Sequence, residues 1–158
     1  MRHIISAVVA NRPGVLARVA GLFSARGFNI ESLAVGETEN PERSRMTIAV
    51  SGDDLVLEQI RKQLSKLIDT IKVTEFTEVP HVERDLVLVK VKIPPARRGE
   101  VIQIANIFRG KIVDVSEKQL MVEASGTEDK IDALVKALRP FGISELVRTG
   151  RIAMKRGE

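Results

Sequence analysis

The chain has 158 residues, with 25 Lys and Arg against 21 Asp and Glu, for a formal net charge of +4. Hydrophobic residues at 44% and charged residues at 29% exclude a disordered chain, and 3% aromatics leave the core to aliphatic side chains. The absence of Cys excludes disulfides, thiol catalysis and thiolate metal sites, and no apolar run approaches the ~20 residues of a membrane helix.

An apolar strand pattern over residues 3–10 opens at once, so no signal peptide and a cytoplasmic location are expected. Val15, Leu16, Val19, Leu22 and Phe23 then recur at helical spacing until Gly27 stops the helix. Phe28 to about Val35 reads as extended. In the next strand Met46, Ile48 and Val50 alternate with Arg45, Thr47 and Ala49, as on a half-buried surface. The polar connection from Glu37 to Glu42 contains Pro41 and reads as a mobile hairpin loop. Asp53 is a good cap for a helix whose buried stripe is expected at Leu57, Ile60, Leu64, Leu67 and Ile68. Ile71 and Val73 then alternate with polar neighbours.

The same order returns after a polar stretch around Pro80. Val87, Val89, Val91 and Ile93 form a strand, broken by Pro94-Pro95. A helix carries Val101, Ile104, Ala105 and Phe108, and strands follow near 111–116 and 119–125. Thr127 caps a helix with Ile131, Leu134, Val135 and Leu138, and Pro140 forbids its continuation. A weak strand near 143–148 closes the repeat. The pattern predicts an α+β protein of two ferredoxin-like β-α-β-β-α-β sandwiches in tandem: residues 1–76, a linker at 77–84, and residues 85–158. Each sheet is expected to keep one face open within its own unit, inviting association between chains.

Catalytic chemistry is not legible. His3 and His81 have no nucleophile or second ligand beside them, and no phosphate-binding loop or metal motif occurs. Neither catalytic nor metal-ligating residues are therefore assigned. Basic and acidic residues are interspersed, as at Glu58, Arg61, Lys62, Lys66 and Asp69, and read as solvated faces.

The informative segment is Asn11-Arg12-Pro13-Gly14-Val15-Leu16, between the first strand and helix. Pro suits a helix start, Gly14 admits a ligand close to the backbone, and the helix's positive end favours a carboxylate. Asn11 both donates and accepts, so it suits either the carboxylate or the ammonium of an amino acid. These residues alone serve a plain helix start equally well. Asn29 shifts the balance, because an amide among apolar neighbours needs a partner if buried. From an edge strand it is expected to face the Asn11–Gly14 turn of a neighbouring copy, with Val15, Leu16 and Ile30 as aliphatic walls. Such a pocket suits a small branched amino acid.

These residues also carry a family resemblance. The run Asn11 to Leu16, Gly21-Leu22-Phe23 and Arg26-Gly27-Phe28-Asn29-Ile30-Glu31-Ser32-Leu33 resembles an ACT domain. Together with His81-Val82-Glu83-Arg84-Asp85-Leu86 and Phe108 to Val115, the whole chain resembles the small regulatory subunits of acetolactate (acetohydroxyacid) synthase. The resemblance implies a larger catalytic partner carrying thiamine diphosphate, Mg and FAD, and no cofactor in this chain. It further implies stimulation of that partner, feedback inhibition typically by valine, and a homodimer through ACT domains with the effector between them. Carried over by position, the effector contacts are Asn11, Gly14 and Asn29, with Val15, Leu16 and Ile30 adjacent.

Two other readings compete. A stand-alone amino-acid sensor would share the site but act on another enzyme or transcription factor. A nucleic-acid-binding protein would use the basic tail from Arg148 to Arg156, yet the first and third strands lack the aromatics on which bases stack. Neither nucleic acid nor membrane is expected as a partner.

Overall fold

The computed structural model describes residues 2–157. It forms two compact units: the segment up to Val82 joined by the segment from Gly150, and Glu83–Thr149. The first contains β1 (Arg2–Ala10), α1 (Val15–Ala25), β2 (Ile30–Glu37), β3 (Arg43–Ser51), α2 (Asp54–Lys66) and β4 (Thr70–Glu75). Its sheet is antiparallel in the order β2-β3-β1-β4, the ferredoxin-like arrangement.

Local chemistry explains these elements. Val15, Val19 and Phe23 recur every four residues and dock on Ile5, Ala7 and Val9 of β1 and Met46, Ile48 and Val50 of β3. Asp53 accepts a hydrogen bond from the Val56 N–H at 2.9 Å and so caps α2. Of the expected α2 stripe, Leu57, Ile60 and Leu64 are buried and Leu67 is partly so, but Ile68 is 93% exposed. The helix ends at Lys66 and Leu67 turns extended, so the helical phase is lost before Ile68. Ile71 is likewise exposed, because the β1–β4 register shifts between Val8 and Val9 and leaves it outside the alternation.

The connection between β2 and β3 is held more firmly than its composition suggests. Thr38 donates its N–H to the Arg43 carbonyl, Arg43 returns one to Asn40, and the Asn40 side chain accepts from the Glu42 N–H at 3.0 Å. These bonds give the turn a defined hydrogen-bonded shape.

The second unit takes in most of β5 (His81–Lys92), then α3 (Arg98–Ile107), β6 (Lys111–Val115), β7 (Gln119–Gly126), α4 (Glu128–Leu138) and β8 (Ile143–Arg148). Its strands follow the order β6-β7-β5-β8. Val87, Val89, Val91 and Ile93 meet Leu120 and Val122 of β7, Val101 and Ala105 of α3, and Ile131, Leu134 and Leu138 of α4. Thr127 caps α4 by accepting from the Lys130 N–H.

The expected domain bounds need correction. Residues 81–84 do not lie in a linker but open β5, since Pro80 stands just outside the ladder, where a missing N–H costs nothing. Residues from Gly150 onward return to the first unit. There β9 (Ile152–Lys155) places Ala153 in a cluster with Ile4 and Phe76, and the Arg156 N–H donates to the Pro80 carbonyl at 2.8 Å. That tail covers part of the sheet face that sequence patterning leaves open. Arg151 is buried with it.

Candidate functional site

The turn from β1 to α1 is built by three fixed points. The Asn11 N–H donates to the Glu42 carbonyl at 2.8 Å, which ties the exit of β1 to the β2–β3 connection. The Asn11 Nδ2 donates to the Pro41 carbonyl at 2.9 Å, leaving its Oδ1 as an acceptor. Gly14 is the helix cap with φ 86°, a left-handed conformation that strains any residue with a Cβ. It offers no side chain to the first N–H groups of α1. The Val15 N–H donates to the Arg12 carbonyl at 3.4 Å, and the remaining N–H groups of the first turn mark the positive end of the helix.

Charge surrounds this tip. Asp69, only 6% exposed, accepts from Arg12 Nη2 at 3.1 Å through Oδ1, and from Arg18 Nε at 2.7 Å through Oδ2. Its own carbonyl accepts from the Ala10 N–H at 2.9 Å. One carboxylate against two guanidinium groups leaves a net positive charge beside an already positive helix end. The tip is suited to an anion such as an α-carboxylate.

Sequence reading assigned neither Arg12 nor Arg18 to the site, and counted Asp69 among solvated charges. Asp69 lies 57 and 51 positions from its two arginines, so no local spacing reveals the triad. The available signal is an acid three residues beyond α2, just before β4, in a chain that also carries a basic turn.

The other expected site residues are distributed unequally. Leu16 is 45% exposed beside the turn and available to a ligand. Val15 is 2% exposed and belongs to the helix–sheet core, so it is corrected from wall to core residue: the first α1 position facing the sheet must be filled. Ile30 packs partly against the same core. Asn29 is exposed, immediately before β2.

Within one chain Asn11 and Asn29 are not brought together. Ala10 pairs with Arg43 at one end of β3, whereas Ile30 pairs with Val50 at the other. At about 3.4 Å per residue, the two ends stand about 24 Å apart. A second chain is required if both amides are to meet one ligand.

No group of three or more His, Asp or Glu is placed to hold a metal ion among the described residues. The basic tail is also committed elsewhere: Arg148 donates to Asp85 and Asp132, and the Arg156 Nε donates to the His81 carbonyl. Burial disfavours the Arg148 charge, but hydrogen bonds and attraction from Asp132 and Asp85 prevail and raise its pKa. These pairings leave less positive surface for phosphates than the sequence suggests.

The chain thus sets a ferredoxin-like unit with a glycine turn before its first helix ahead of a second unit of the same topology. A family described as AHAS small subunit-like ACT domain matches residues 5–72, and one described as small subunit of acetolactate synthase matches residues 84–157. A probable acetolactate synthase small subunit of Archaeoglobus fulgidus is 58% identical, over 99% of this chain and 98% of its own. The acetolactate synthase small subunit of Aquifex aeolicus is 56% identical, over 98% of this chain and 81% of its own. The crystal structure of the small subunit from Thermotoga maritima superposes with a TM-score of 0.89 at 43% identity, over 100% of this chain and 99% of that one. The chain belongs to the acetolactate synthase small subunit family, a regulatory rather than catalytic class.

Proposed function

We propose that this chain binds a branched-chain amino acid, valine foremost, at the β1–α1 turn and thereby confers feedback inhibition on a catalytic acetolactate synthase subunit that it otherwise stimulates. The carrying observation is the cationic helix tip at Gly14, with Asn11 Oδ1 free to accept from an ammonium group. Leu16 supplies an exposed aliphatic wall.

The separation of the two amides favours a homodimer. Strand β2 is an edge of its sheet, and Glu37 lies at the Asn11 end while Ile30 lies at the other. Antiparallel pairing of two β2 edges about Leu33 would set Asn29 of one copy opposite Glu37 of the other. The second copy's amide then reaches the first copy's turn. Thiamine diphosphate, Mg and FAD are assigned to the catalytic partner, and the complex to the cytoplasm.

An apolar wall separates branched side chains differing by one methylene by only about 1–3 kcal/mol, so leucine and isoleucine should bind more weakly than valine but measurably. The regulatory effect requires a coupling of about 1–3 kcal/mol between effector and partner. The test is reconstitution of the full chain with the catalytic subunit, measuring acetolactate formation with and without valine. Stimulation that valine suppresses supports the reading. Stimulation indifferent to valine, leucine and isoleucine alike would remove the effector assignment, and no stimulation would favour a stand-alone sensor.

A further inference from the structure

We infer that Arg18 is the side chain that receives the effector's carboxylate, and that Asp69 is the positioning residue that holds it there. The inference rests on the turn being the effector site and names a recognition element outside the contacts carried over from the family.

Arg18 sits one turn into α1, and its guanidinium folds back along the helix toward the tip. Its Nε and Nη2 both lie 2.7 Å from Asp69 Oδ2. The remaining nitrogen, Nη1, is directed elsewhere: it would stand 3.3 Å from a Cβ built on Gly14. The edge of the guanidinium not used by Asp69 therefore lies over the glycine, in the room a Cβ would need, and a ligand reaches it from the outer side of Nη1. A ligand that meets the helix start beyond Val15, whose own N–H donates to the Arg12 carbonyl at 3.4 Å, lies beside that edge. A carboxylate there would accept charge-assisted bonds from Arg18 Nη1 and backbone bonds from the helix start.

Asp69 makes this placement rigid. Its backbone carbonyl is anchored to the Ala10 N–H, and its buried carboxylate binds the guanidinium through a side-on pair of nitrogens. A long side chain that is half exposed would otherwise sample many rotamers, at an ordering cost borne by each binding event. Asp69 pairs with Arg12 as well, so neither arginine is neutralised alone and a positive charge remains for the ligand. The absence of a side chain at Gly14 is then explained twice, by its left-handed backbone and by the clearance it leaves for the Arg18 guanidinium, whose Nη1 a Cβ would crowd at 3.3 Å.

The experiment is calorimetry on the full chain with valine and with valinamide, which keeps the ammonium and side chain but lacks the carboxylate. The unaltered chain should prefer valine at least tenfold. Arg18→Gln should weaken valine at least tenfold and bring the two ligands to nearly equal affinity, and Arg18→Lys should restore part of the preference. Asp69→Asn should fall between the unaltered chain and Arg18→Gln in both affinity and preference. An Arg18→Gln protein retaining both valine affinity and the preference for valine overturns the carboxylate role while leaving the effector site in place. An Asp69→Asn protein matching the unaltered chain overturns the positioning role. If the unaltered chain binds none of valine, leucine and isoleucine, the effector site and this inference fall together.

Discussion

Gly150 lies directly against Ser32, where a Cβ on the glycine would stand 3.0 Å from the serine Cβ. Gly150 also has φ 85°, so the returning tail crosses onto β2 through a position that a larger residue would strain twice. Gly150→Ala is expected to destabilise by about 1–2 kcal/mol from the left-handed backbone alone. The midpoint of thermal unfolding should fall by about 2–8 °C. An unchanged midpoint would mean that the tail is not held at this point.

Gly14→Asp places a carboxylate where the effector's own carboxylate is proposed to sit. It should abolish detectable valine binding by calorimetry, by bulk and by like charge. The far-ultraviolet circular dichroism should be retained, because Gly14 is exposed and Asp tolerates the left-handed region better than most residues. Valine affinity unaffected by this change would move the site away from the turn.

Asp85 is buried in the second unit, accepting from Arg148 Nε at 2.8 Å and Nη2 at 2.5 Å. Asp85→Ala leaves the guanidinium partly buried, with only Asp132, itself half exposed, as a charge partner. A cost of about 2–3 kcal/mol is expected in urea unfolding, discounted for the partial exposure of Arg148. Replacing both Asp85 and Arg148 with apolar residues of similar volume should recover much of that loss. A double variant worse than the sum of the singles would refute this account of the pair.

Leu64 and Ile68 separate helical periodicity from actual burial. Leu64→Ala should cost about 2–5 kcal/mol as a core truncation, whereas Ile68→Ser should stay within about 0.5 kcal/mol. Comparable losses at both positions would show that Ile68 is covered in solution, as by a second chain.

Val35 is an exposed apolar residue on the edge strand β2. If two copies pair through that edge, Val35→Lys should shift sedimentation toward monomer and weaken valine response in parallel, since each pocket would lose its partner's Asn29. A stable dimer with normal valine response would exclude β2 as the interface.

Much of the fold was written in local patterns. The alternation of Val87, Val89, Val91 and Ile93, the caps at Asp53 and Thr127, and the stops at Gly27 and Pro140 all act over a few residues, where period and cap chemistry leave little choice. The turn at Asn11–Gly14 was legible for the same reason, since a helix start and a glycine's backbone freedom are local properties. Patterns failed where the helical phase ended, at Ile68, and where the register slipped, at Ile71.

What only the tertiary structure decided was contact between distant segments. The sequence by itself determined two units of one topology, the position of the glycine turn and the lack of catalytic groups in any familiar arrangement. Three-dimensional packing decided that Val15 faces the core, that the tail from Gly150 rejoins the first unit, and that Asp69 clasps Arg12 and Arg18. It also placed Asn11 and Asn29 at opposite ends of one sheet. The physical reason is that side-chain periodicity encodes which face of an element is apolar, whereas hydrogen bonds and ion pairs depend on which faces the chain later brings within a few ångströms of one another.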